Sequence, residues 1–390
     1  MSGRDLFCPP RRFRRGAALT LVFAGVLVTG AATGSFPETD AALRRAAAFG
    51  PSPTTTPHED VQKAAADALA DGKSPMEAAE RAVSRSGDRW GAVYSEGEYQ
   101  EFQEALDGRY TGVGLWARRE RDGRIEVTKV QPGSPAAEAG IRRGDRLRSI
   151  DGSKVDGLPV TEVVSLLRGD ADDAGAGTSV TLGLQRGTRA WSEKLRRASL
   201  STDSVTVRRL PGGVTIIKIA AFTKGSGDAV RAAVRQAPAD GGIVLDLRGN
   251  SGGLVTEAVE TSSAFLDGGL VATYDVDGAQ RSLHADRGGD TTRPLVTLVD
   301  GGTMSAAEML TGALQDRGRA VVIGSRTFGK GSIQMPTELP DGSVAELTVG
   351  HYRTPSGHAV DGRGITPDLE AGGDTLQRAE TVLTGLGDPS

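Results

Sequence analysis

"IVLDLRGNSGGLVTEAVE", residues 243–260, joins an apolar run to a helical pattern through a glycine-rich turn. The same plan recurs in the second half of the chain, where three more apolar runs have the length of a buried strand. They are "GVTIIKIAAF" (213–222), "PLVTLVDGG" (294–302) and "AVVIGS" (320–325). Continuous apolar strands that alternate with helices predict an α/β core with a parallel sheet and right-handed crossovers. Sites in such sheets usually lie where strands run into helix N-termini, so the turns after these strands are the places to search for chemistry.

Composition excludes several classes of function. The 390 residues are enough for two domains and extra segments, and a net charge of −4 gives no reason to expect nucleic acid as a partner. Cys8 is the only cysteine in the sequence, so neither disulfides nor a thiolate metal site are expected downstream of it. The four histidines lack the i, i+4 spacing of a zinc-binding helix. We therefore expect neither a metal nor another cofactor.

The amino-terminal region has the pattern of an export leader. Residues 1–15 carry a cluster of arginines, and the next 19 residues, 16–34, contain no charge. A helix of that length rises about 28 Å, close to the thickness of a bilayer's hydrocarbon core. Two interpretations stay open, a cleaved signal peptide and an uncleaved membrane anchor. Basic residues before such a segment favour a cytoplasmic amino end, so both interpretations predict an extracytoplasmic protein, either anchored by a single span or secreted.

Two further segments separate this leader from the rest. Residues 35–58 are rich in Pro, Ser and Thr and are predicted to form a linker. Residues 59–108 are predicted to form a short helical segment that packs but carries no recognisable chemistry. Its helix starts are marked by two capping boxes, Ser74–Glu77 (with Pro at the first helical position) and Ser95–Glu98.

Residues 109–189 have a different sequence pattern, in which short strands of alternating hydrophobicity are separated by Gly and Asp-Gly turns. "VTEVVSLLRG" (160–169) has the pattern of an amphipathic helix, and "TSVTLGLQR" (178–186) that of a closing strand. Together with "GSPAAEAGIRRGDRLRSIDG" (133–152), they make residues 111–187 resemble a PDZ domain. The resemblance implies that "TGVGL" holds a peptide carboxylate, because glycines leave successive backbone N–H groups free. The loop residues are Gly112, Val113, Gly114 and Leu115.

Ser251, in the turn quoted first, is one candidate nucleophile. A trypsin-like arrangement requires a His and an Asp before the serine, and the only earlier histidine, His58, lies in the predicted linker. The nucleophile elbow of an α/β-hydrolase fits better, since strand, G-x-S-x-G and helix are all present. Its histidine would be His351 or His358, and no His-Gly-Gly-type oxyanion loop precedes it. An esterase that uses Ser251 therefore stays an alternative.

Ser305 is the second candidate. "VTLVDGGTMSAAEMLTGAL" (296–314) places it at the turn from a buried strand into a helix, where a serine also serves as an N-cap. "GSRTFGKGSIQ" (324–334) follows. With "DLRGNSGG" (246–253) before it and "PSGHAVDGRGITPDLE" (355–370) after it, the pair resembles the C-terminal processing peptidases (tail-specific proteases). The resemblance extends from about Tyr94 to Leu369.

This resemblance implies a Ser-Lys serine protease with an embedded PDZ domain. Ser305 would be the nucleophile, Lys330 the general base, and Gln334 the residue that orients the lysine. "RGNSGG" then supplies an oxyanion hole through the backbone N–H of Gly252 or Gly253, together with that of Ala306. The implied fold is an α/β protease core of crotonase/Clp-like ββα units (190–375), with an inserted PDZ domain, a helical N-terminal segment and a short tail (376–390).

The implied chemistry is coherent on physical grounds. The base must be a neutral lysine, whose ordinary pKa is about 10.4. Lowering that value to about 7 requires about 4 kcal/mol, which burial among apolar walls can supply. The amide oxygen of Gln334 accepts a hydrogen bond without adding a negative charge that would raise the lysine pKa. Glu308, one turn after Ser305, is expected to support the helix N-terminus rather than to catalyse.

The leading hypothesis is therefore an exported endopeptidase whose partners are proteins or peptides with free C-termini. Arg168, at the end of the predicted PDZ helix, is placed to respond to tail binding or to contact the protease core, or else is a solvated charge at a helix end. The second alternative, besides the esterase, is an inactive PDZ scaffold that tethers polypeptide tails.

Overall fold

The computed structural model describes residues 58–120, 122–169, 175–276 and 279–387. The predicted basic segment, the apolar leader and all of the linker except His58 lie outside these residues. Among the helices that are described, none is both long and apolar enough to cross a membrane.

The first described segment contains three helices and a short strand. Its elements are α1 (His58–Ala70), α2 (Pro75–Ser86), β1 (Ala92–Tyr94) and α3 (Glu96–Leu106). The side chain of Ser74 accepts from the amide of Glu77, and Ser95 and Glu98 form the full reciprocal capping box. Strand β1 pairs antiparallel with a strand near the end of the chain, so this segment is part of the core architecture rather than a separate extension.

The second part is a five-stranded antiparallel sheet with a short sixth strand and a covering helix. Its elements are β2 (Arg109–Gly112), β3 (Leu115–Arg119), β4 (Ile125–Val130), α4 (Pro135–Glu138), β5 (Arg146–Ile150), β6 (Ser153–Lys154), α5 (Val160–Arg168), β7 (Ser179–Arg186), β8 (Arg189–Arg196) and β9 (Ala198–Ser201). The sheet order is β3-β4-β5-β7-β8, with β6 beside β5. The predicted closing strand is β7, which buries Val180, Leu182 and Leu184 as expected. Strands β2 and β9 pair with each other and form the entry to this domain and the exit from it.

The third part is the predicted α/β core. Its elements are β10 (Val205–Arg209), β11 (Thr215–Ile219), α6 (Ser226–Gln236), β12 (Ile243–Asp246), α7 (Val255–Ser263), β13 (Gly269–Val276), β14 (Ala279–Ala285), β15 (Leu295–Val299), α8 (Ala306–Asp316), β16 (Val321–Gly324), β17 (Ser332–Glu338), β18 (Val344–Arg353), β19 (Leu369–Glu370) and α9 (Thr375–Gly387). The main sheet has the order β10-β11-β12-β15-β16-β19 and is parallel except for the edge strand β10. The four apolar runs of the sequence are β11, β12, β15 and β16, so the prediction of a parallel sheet is confirmed.

A second sheet packs against α8 through β13 and against α7 through β14. It has the order β1-β18-β13-β14, with β17 paired to β18. Helices α6, α7 and α8 and the main sheet share one large apolar cluster, which includes Phe222, Phe265 and Leu310. The turns after β12 and β15 therefore sit at neighbouring strand ends, because these two strands pair directly with each other.

Candidate active site

Ser305 lies in a strained turn between β15 and α8. Its backbone angles are φ 53° and ψ −121°, a region that non-glycine residues rarely occupy and that costs about 1–3 kcal/mol. Of the non-glycine residues that the structure describes, only Asp151 and Ser305 have positive φ. A sharp turn of this kind between strand and helix is what exposes a nucleophilic Oγ in a nucleophile elbow.

Ser305 is the N-cap residue of α8, as its place at the turn predicts. Its amide donates to the carboxylate of Glu308 at 2.9 Å, and the amide of Glu308 donates to the Ser305 carbonyl oxygen at 2.8 Å. Ser305 itself is half-buried. Capping of the helix and a catalytic role are therefore compatible at this position.

Glu308 links the turn that carries Ser305 to the loop that carries Lys330. Its fully buried carboxylate accepts from the amides of Ser305 (2.9 Å), Gly329 (2.7 Å) and Lys330 (2.8 Å), and from the hydroxyl of Thr327. Burial raises the pKa of Glu308, and these four donors oppose that rise. The sequence predicted a residue that supports the helix start. The structure adds that the same carboxylate holds the backbone of Lys330.

Tyr352 links Ser305 and Lys330 through their carbonyl oxygens. Its buried hydroxyl lies 2.8 Å from the carbonyl oxygen of Ser305 and 3.2 Å from that of Lys330. Ser305 and Lys330 are thus held as a pair by two side chains, one that binds both amides and one that binds both carbonyls. Burial raises the pKa of Tyr352 well above its usual value, so the hydroxyl stays a donor.

The environment of Lys330 disfavours its charged form. Burial lowers the pKa of Lys330, and the nearby carboxylates of Glu346, Asp88 and Asp361 act in the opposite direction. The ring of Trp90 lies over the ammonium group, with 5.2 Å between Nζ and the ring centroid. A lowered pKa is the property that a lysine base requires.

Gln334 is fixed by its amide nitrogen. Nε2 donates to the hydroxyl oxygens of Ser332 (2.7 Å) and Thr348 (3.3 Å). Thr348 is held in turn by Asp88, which accepts from both its amide (2.9 Å) and its hydroxyl (2.8 Å). Since the nitrogen has its partners, the carbonyl oxygen of Gln334 is free to accept. The predicted contact of this oxygen with Lys330 stays a prediction.

The loop of Ser251 lies directly against Ser305. A Cβ built on Gly252 would be 2.9 Å from the Cβ of Ser305 and 3.3 Å from the nitrogen of Ala306. The amide of Gly252 donates to Oδ1 of Asn250 at 2.8 Å. The amides of Gly253 and Ala306 have no partner within the described part of the chain. Of the three predicted oxyanion-hole donors, these two are therefore available.

The histidines that an esterase would need do not contact Ser251. Nδ1 of His358 lies 3.0 Å from the hydroxyl of Ser356. Nε2 of His351 is buried without a hydrogen-bond partner among the described residues, and the carboxylate of Asp361 is 3.9 Å away. In the part of the chain that the structure describes, neither histidine is hydrogen-bonded to this serine.

The predicted carboxylate-binding loop has the expected open amides. The carbonyl oxygens of Val113 and Gly114 accept from Ala136 (2.9 Å) and Gln131 (2.8 Å), whereas the amides of both residues have no partner in the described ranges. Gly112 ends β2, and Leu115 begins β3, which is the edge strand of its sheet. Gly114 has φ 78°, and a Cβ there would collide with Ser134 at 2.2 Å. Loop and strand edge together can receive an extended peptide terminus.

Arg168 is half-buried at the end of α5 and is not a fully solvated charge. Burial lowers the pKa of its guanidinium group, and Glu101 and Tyr110 act in the opposite direction. Glu101 belongs to α3 and Tyr110 to β2. Arg168 therefore faces the N-terminal helical segment and the entry strand of the domain. Its role as a sensor stays a prediction.

The described residues contain no group of three or more His, Cys, Asp or Glu side chains that could hold a metal ion. The arrangement joins a strained serine, a half-buried lysine and two open amides. Those are the parts needed for nucleophilic attack on a carbonyl group.

Comparisons with known proteins agree with the expected resemblance. Residues 213–371 match the sequence model of Peptidase family S41, and residues 126–186 match that of a PDZ domain. The chain is 35% identical over 308 residues to "Carboxyl-terminal-processing peptidase 3, chloroplastic" of Arabidopsis thaliana, covering 74% of this chain and 58% of that protein. It is 36% identical over 289 residues to "Probable CtpA-like serine protease" of Staphylococcus aureus (strain bovine RF122 / ET3-1), covering 72% and 57%. The chain thus spans somewhat more than half the length of these relatives.

A solved structure supports the same fold. The "Photosystem II D1 C-terminal processing protease" superposes with a TM-score of 0.50 at 28% identity, covering 80% of this chain and 86% of that one. The predicted resemblance to C-terminal processing peptidases is confirmed, as is the combination of an S41 peptidase fold with a PDZ domain.

Three residues of the site were missed or underrated by sequence reasoning. Tyr352 and Trp90 received no role, and Glu308 was expected only to support a helix. A buried tyrosine 47 residues from its acceptor leaves no local pattern. The tryptophan lies in a segment whose pattern predicts packing alone.

Proposed function

Since residues 213–371 belong to Peptidase family S41 and residues 126–186 to the PDZ domains, we propose that the protein is a serine endopeptidase that cleaves polypeptides near their C-terminus. The observation that carries this proposal is the pairing of Ser305 with Lys330. Glu308 and Tyr352 bind both residues through their main chains, so that the backbones of the strained serine and the half-buried lysine are held beside each other.

In the proposed mechanism, neutral Lys330 accepts the proton of the Ser305 hydroxyl as the oxygen attacks the scissile carbonyl. The tetrahedral oxyanion that forms is stabilised by the amides of Gly253 and Ala306, the latter at the start of α8. The lysine then gives its proton to the departing amine, which leaves an acyl-enzyme that water hydrolyses. Gln334 holds the amine in place through its amide oxygen.

The PDZ domain supplies the choice of substrate in this proposal. The amides of Val113 and Gly114 receive the terminal carboxylate of the substrate, and the free edge of β3 pairs with the residues before it. Arg168 links this domain to the helical segment, so tail binding can be communicated to the rest of the protein. The partners are thus proteins or peptides with free C-termini.

Three finer features belong to the same proposal. The core adopts the arrangement of crotonase/Clp-like ββα units, which the alternation of strands and helices from β11 to β16 supports. The protein acts outside the cytoplasm, because the charge-free segment 16–34 follows a basic cluster. Residues 16–34 serve either as a signal peptide or as a single membrane anchor.

Two substrates test the proposal with the purified full-length protein. Unfolded casein should be degraded. A peptide with an apolar carboxyl end should be cut near that end, as measured by mass spectrometry. The same peptide with an amidated terminus should lose about 10- to 150-fold in kcat/KM, since a charge-assisted hydrogen bond contributes about 1.5–3 kcal/mol.

Each part of the proposal has an outcome that rejects it. Equal kcat/KM for the two peptides would show that the PDZ domain does not recognise the carboxylate. Binding of the free-terminus peptide without any cleavage would favour an inactive scaffold.

A further inference from the structure

Trp90 connects the N-terminal segment to the candidate base. It lies in the turn between α2 and β1, outside both regions matched by a family model. Its ring centroid is 5.2 Å from Nζ of Lys330 and 5.7 Å from the ring of Phe328. Phe328 is half exposed, and Trp90 and Lys330 are each half-buried, so the ring of Trp90 lies between a partly exposed aromatic ring and the lysine amine.

The turn that carries Trp90 is held firmly against the core. Asp88 accepts from the amides of Trp90 (3.0 Å) and Gly91 (2.9 Å), and also from the amide and hydroxyl of Thr348. Strand β1 then pairs with β18 along Ala92, Val93 and Tyr94. The position of the ring is therefore determined by the core and does not depend on a flexible end of the chain.

We propose that Trp90 is a positioning residue of the site, whose ring covers the amine of Lys330 and excludes water from it. This inference rests on the proposed Ser-Lys mechanism. It assigns a functional part to a segment whose sequence predicts only packing.

Two effects of the ring on Lys330 oppose each other. A ring face attracts a cation, and a desolvated contact of this kind raises a lysine pKa by roughly 1.5. Exclusion of water lowers a lysine pKa by as much as about 3–5 in a fully buried site. The ring supplies only part of that exclusion, and we expect its loss to outweigh the loss of the attraction, so removal of the ring should raise the pKa of Lys330.

Other charged groups also face the amine, and the substitutions leave them in place. They are Glu346 of β18, Asp88 of the N-terminal turn, Asp361 with its neighbour His351, and Glu308 of α8. Arg89 differs from them, because its guanidinium lies 4.8 Å from the centroid of the Trp90 ring and loses this contact when the ring is removed. Trp90→Phe keeps a ring for Arg89 to pack on, so the comparison of Trp90→Ala with Trp90→Phe reports the loss of the ring as a whole.

The test compares the pH dependence of kcat/KM for casein cleavage by the full-length protein and its variants. In Trp90→Ala the limb on which activity increases should move by about one pH unit to higher pH, with about a tenfold loss at neutral pH. Activity should recover at alkaline pH, which a loss of structure alone would not produce.

Trp90→Phe should stay close to the unmodified protein. It keeps a ring, and because the indole N–H has no partner among the described residues, no hydrogen bond is lost.

Trp191→Ala is the matched control. This tryptophan also lies near cations, Arg186 and Arg189, but belongs to β8 of the PDZ domain. Its removal should leave the position of the limb unchanged. If Trp90→Ala does not fold, Trp90→Leu provides the same test with a smaller shift expected in the same direction.

An unchanged limb in folded Trp90→Ala, or in Trp90→Leu, would overturn the role of Trp90 and leave the peptidase proposal intact. The Lys330→Ala variant separates the two. Activity that survives in Lys330→Ala would reject the Ser-Lys mechanism itself, and the inference about Trp90 with it.

Discussion

Two serines lie at the ends of neighbouring strands, in turns that differ in backbone conformation. The turn whose sequence most resembles a nucleophile motif is not the one with the strained backbone. Ser251 follows β12 within G-N-S-G-G, and Ser305 follows β15 within D-G-G-T-M-S, where no glycine is adjacent to the serine. Only Ser305 has the strained conformation, with φ 53°. In our proposal the glycine motif marks the turn that supplies amides, and the nucleophile lies in the turn beside it.

The contacts around the two turns explain the difference. In the Ser251 turn, the side chain of Asn250 donates to the carbonyl of Ile219 and accepts from the amide of Gly252, which fixes the loop to β11 and leaves the amide of Gly253 open. In the Ser305 turn, Glu308 binds the amide of Ser305 and stabilises a conformation that would otherwise be unfavourable. One turn is built to present the backbone, and the other to present a side chain.

The largest effect should separate the two serines themselves. Ser305→Ala and Lys330→Ala should each reduce casein cleavage by more than about 1,000-fold, to background, because nucleophile and base act as one unit. Ser251→Ala should keep most of its activity, since the substitution leaves every backbone amide in place. The reverse pattern, an inactive Ser251→Ala beside an active Ser305→Ala, would favour the esterase.

The next effect concerns the carboxylate that supports the Ser305 turn. In Glu308→Gln, an NH₂ group replaces an oxygen that accepts two hydrogen bonds. Unsatisfied buried groups of this kind cost about 1–3 kcal/mol, which corresponds to roughly 5- to 150-fold in kcat if the cost falls on the dyad. KM should change little, because the Glu308 side chain is fully buried.

Glu257→Gln is the matched control for Glu308→Gln. Glu257 is also buried and accepts from two backbone amides, those of Gly225 (2.9 Å) and Gly227 (2.8 Å), at the start of α6. Both variants should unfold at lower temperature, but only Glu308→Gln should lose kcat. Equal losses of kcat in the two would show that Glu308 serves the fold alone.

A smaller effect should distinguish two glycines of the Ser251 turn. Gly252→Ala places a Cβ 2.9 Å from that of Ser305, so one of the two turns must shift. A displacement of this kind should reduce kcat/KM by about 10- to 100-fold. Gly249 also has a positive φ, 71°, but the methyl group of Gly249→Ala would meet no other atom within 4 Å. It should lose about 1–2 kcal/mol of stability and little activity.

The architecture could be predicted from the sequence because its signals are local. The apolar runs of β11, β12, β15 and β16, the PDZ pattern and the capping boxes each lie within some twenty residues. The position of Ser305 at the turn after β15 was predictable in the same way. What could not be predicted depends on distant pairs, such as Tyr352 with Ser305, 47 residues apart, and Asp88 with Thr348, 260 residues apart.

The roles of side chains at the site divide in the same way, into those that local spacing predicts and those that depend on contacts between distant residues. Glu308 could be placed at a helix start from its spacing to Ser305, but its bonds to Gly329 and Lys330 require the lysine loop to fold back onto α8. The choice of Lys330 as base came from a family resemblance, since nothing in its spacing singles it out. Its burial beneath Trp90 depends on a segment more than 200 residues earlier in the chain.

The smallest effect should come from the histidines, and it tests which turn carries the chemistry. An elbow at Ser251 needs His351 or His358 as its base, whereas the dyad at Ser305 needs none. Burial lowers the pKa of Lys330 from its ordinary value of 10.5. The protonated lysine is inactive, so kcat/KM should rise with pH through the lysine pKa, and the limb should lie below the pH that an ordinary lysine would give. Replacing His284, His351 and His358 together by Gln should change kcat/KM by less than about twofold and leave this limb in place, because no proton transfer passes through an imidazole. A folded triple variant that loses activity by tenfold or more, or whose limb disappears, would transfer the chemistry to a histidine and make Ser251 the serine to examine again.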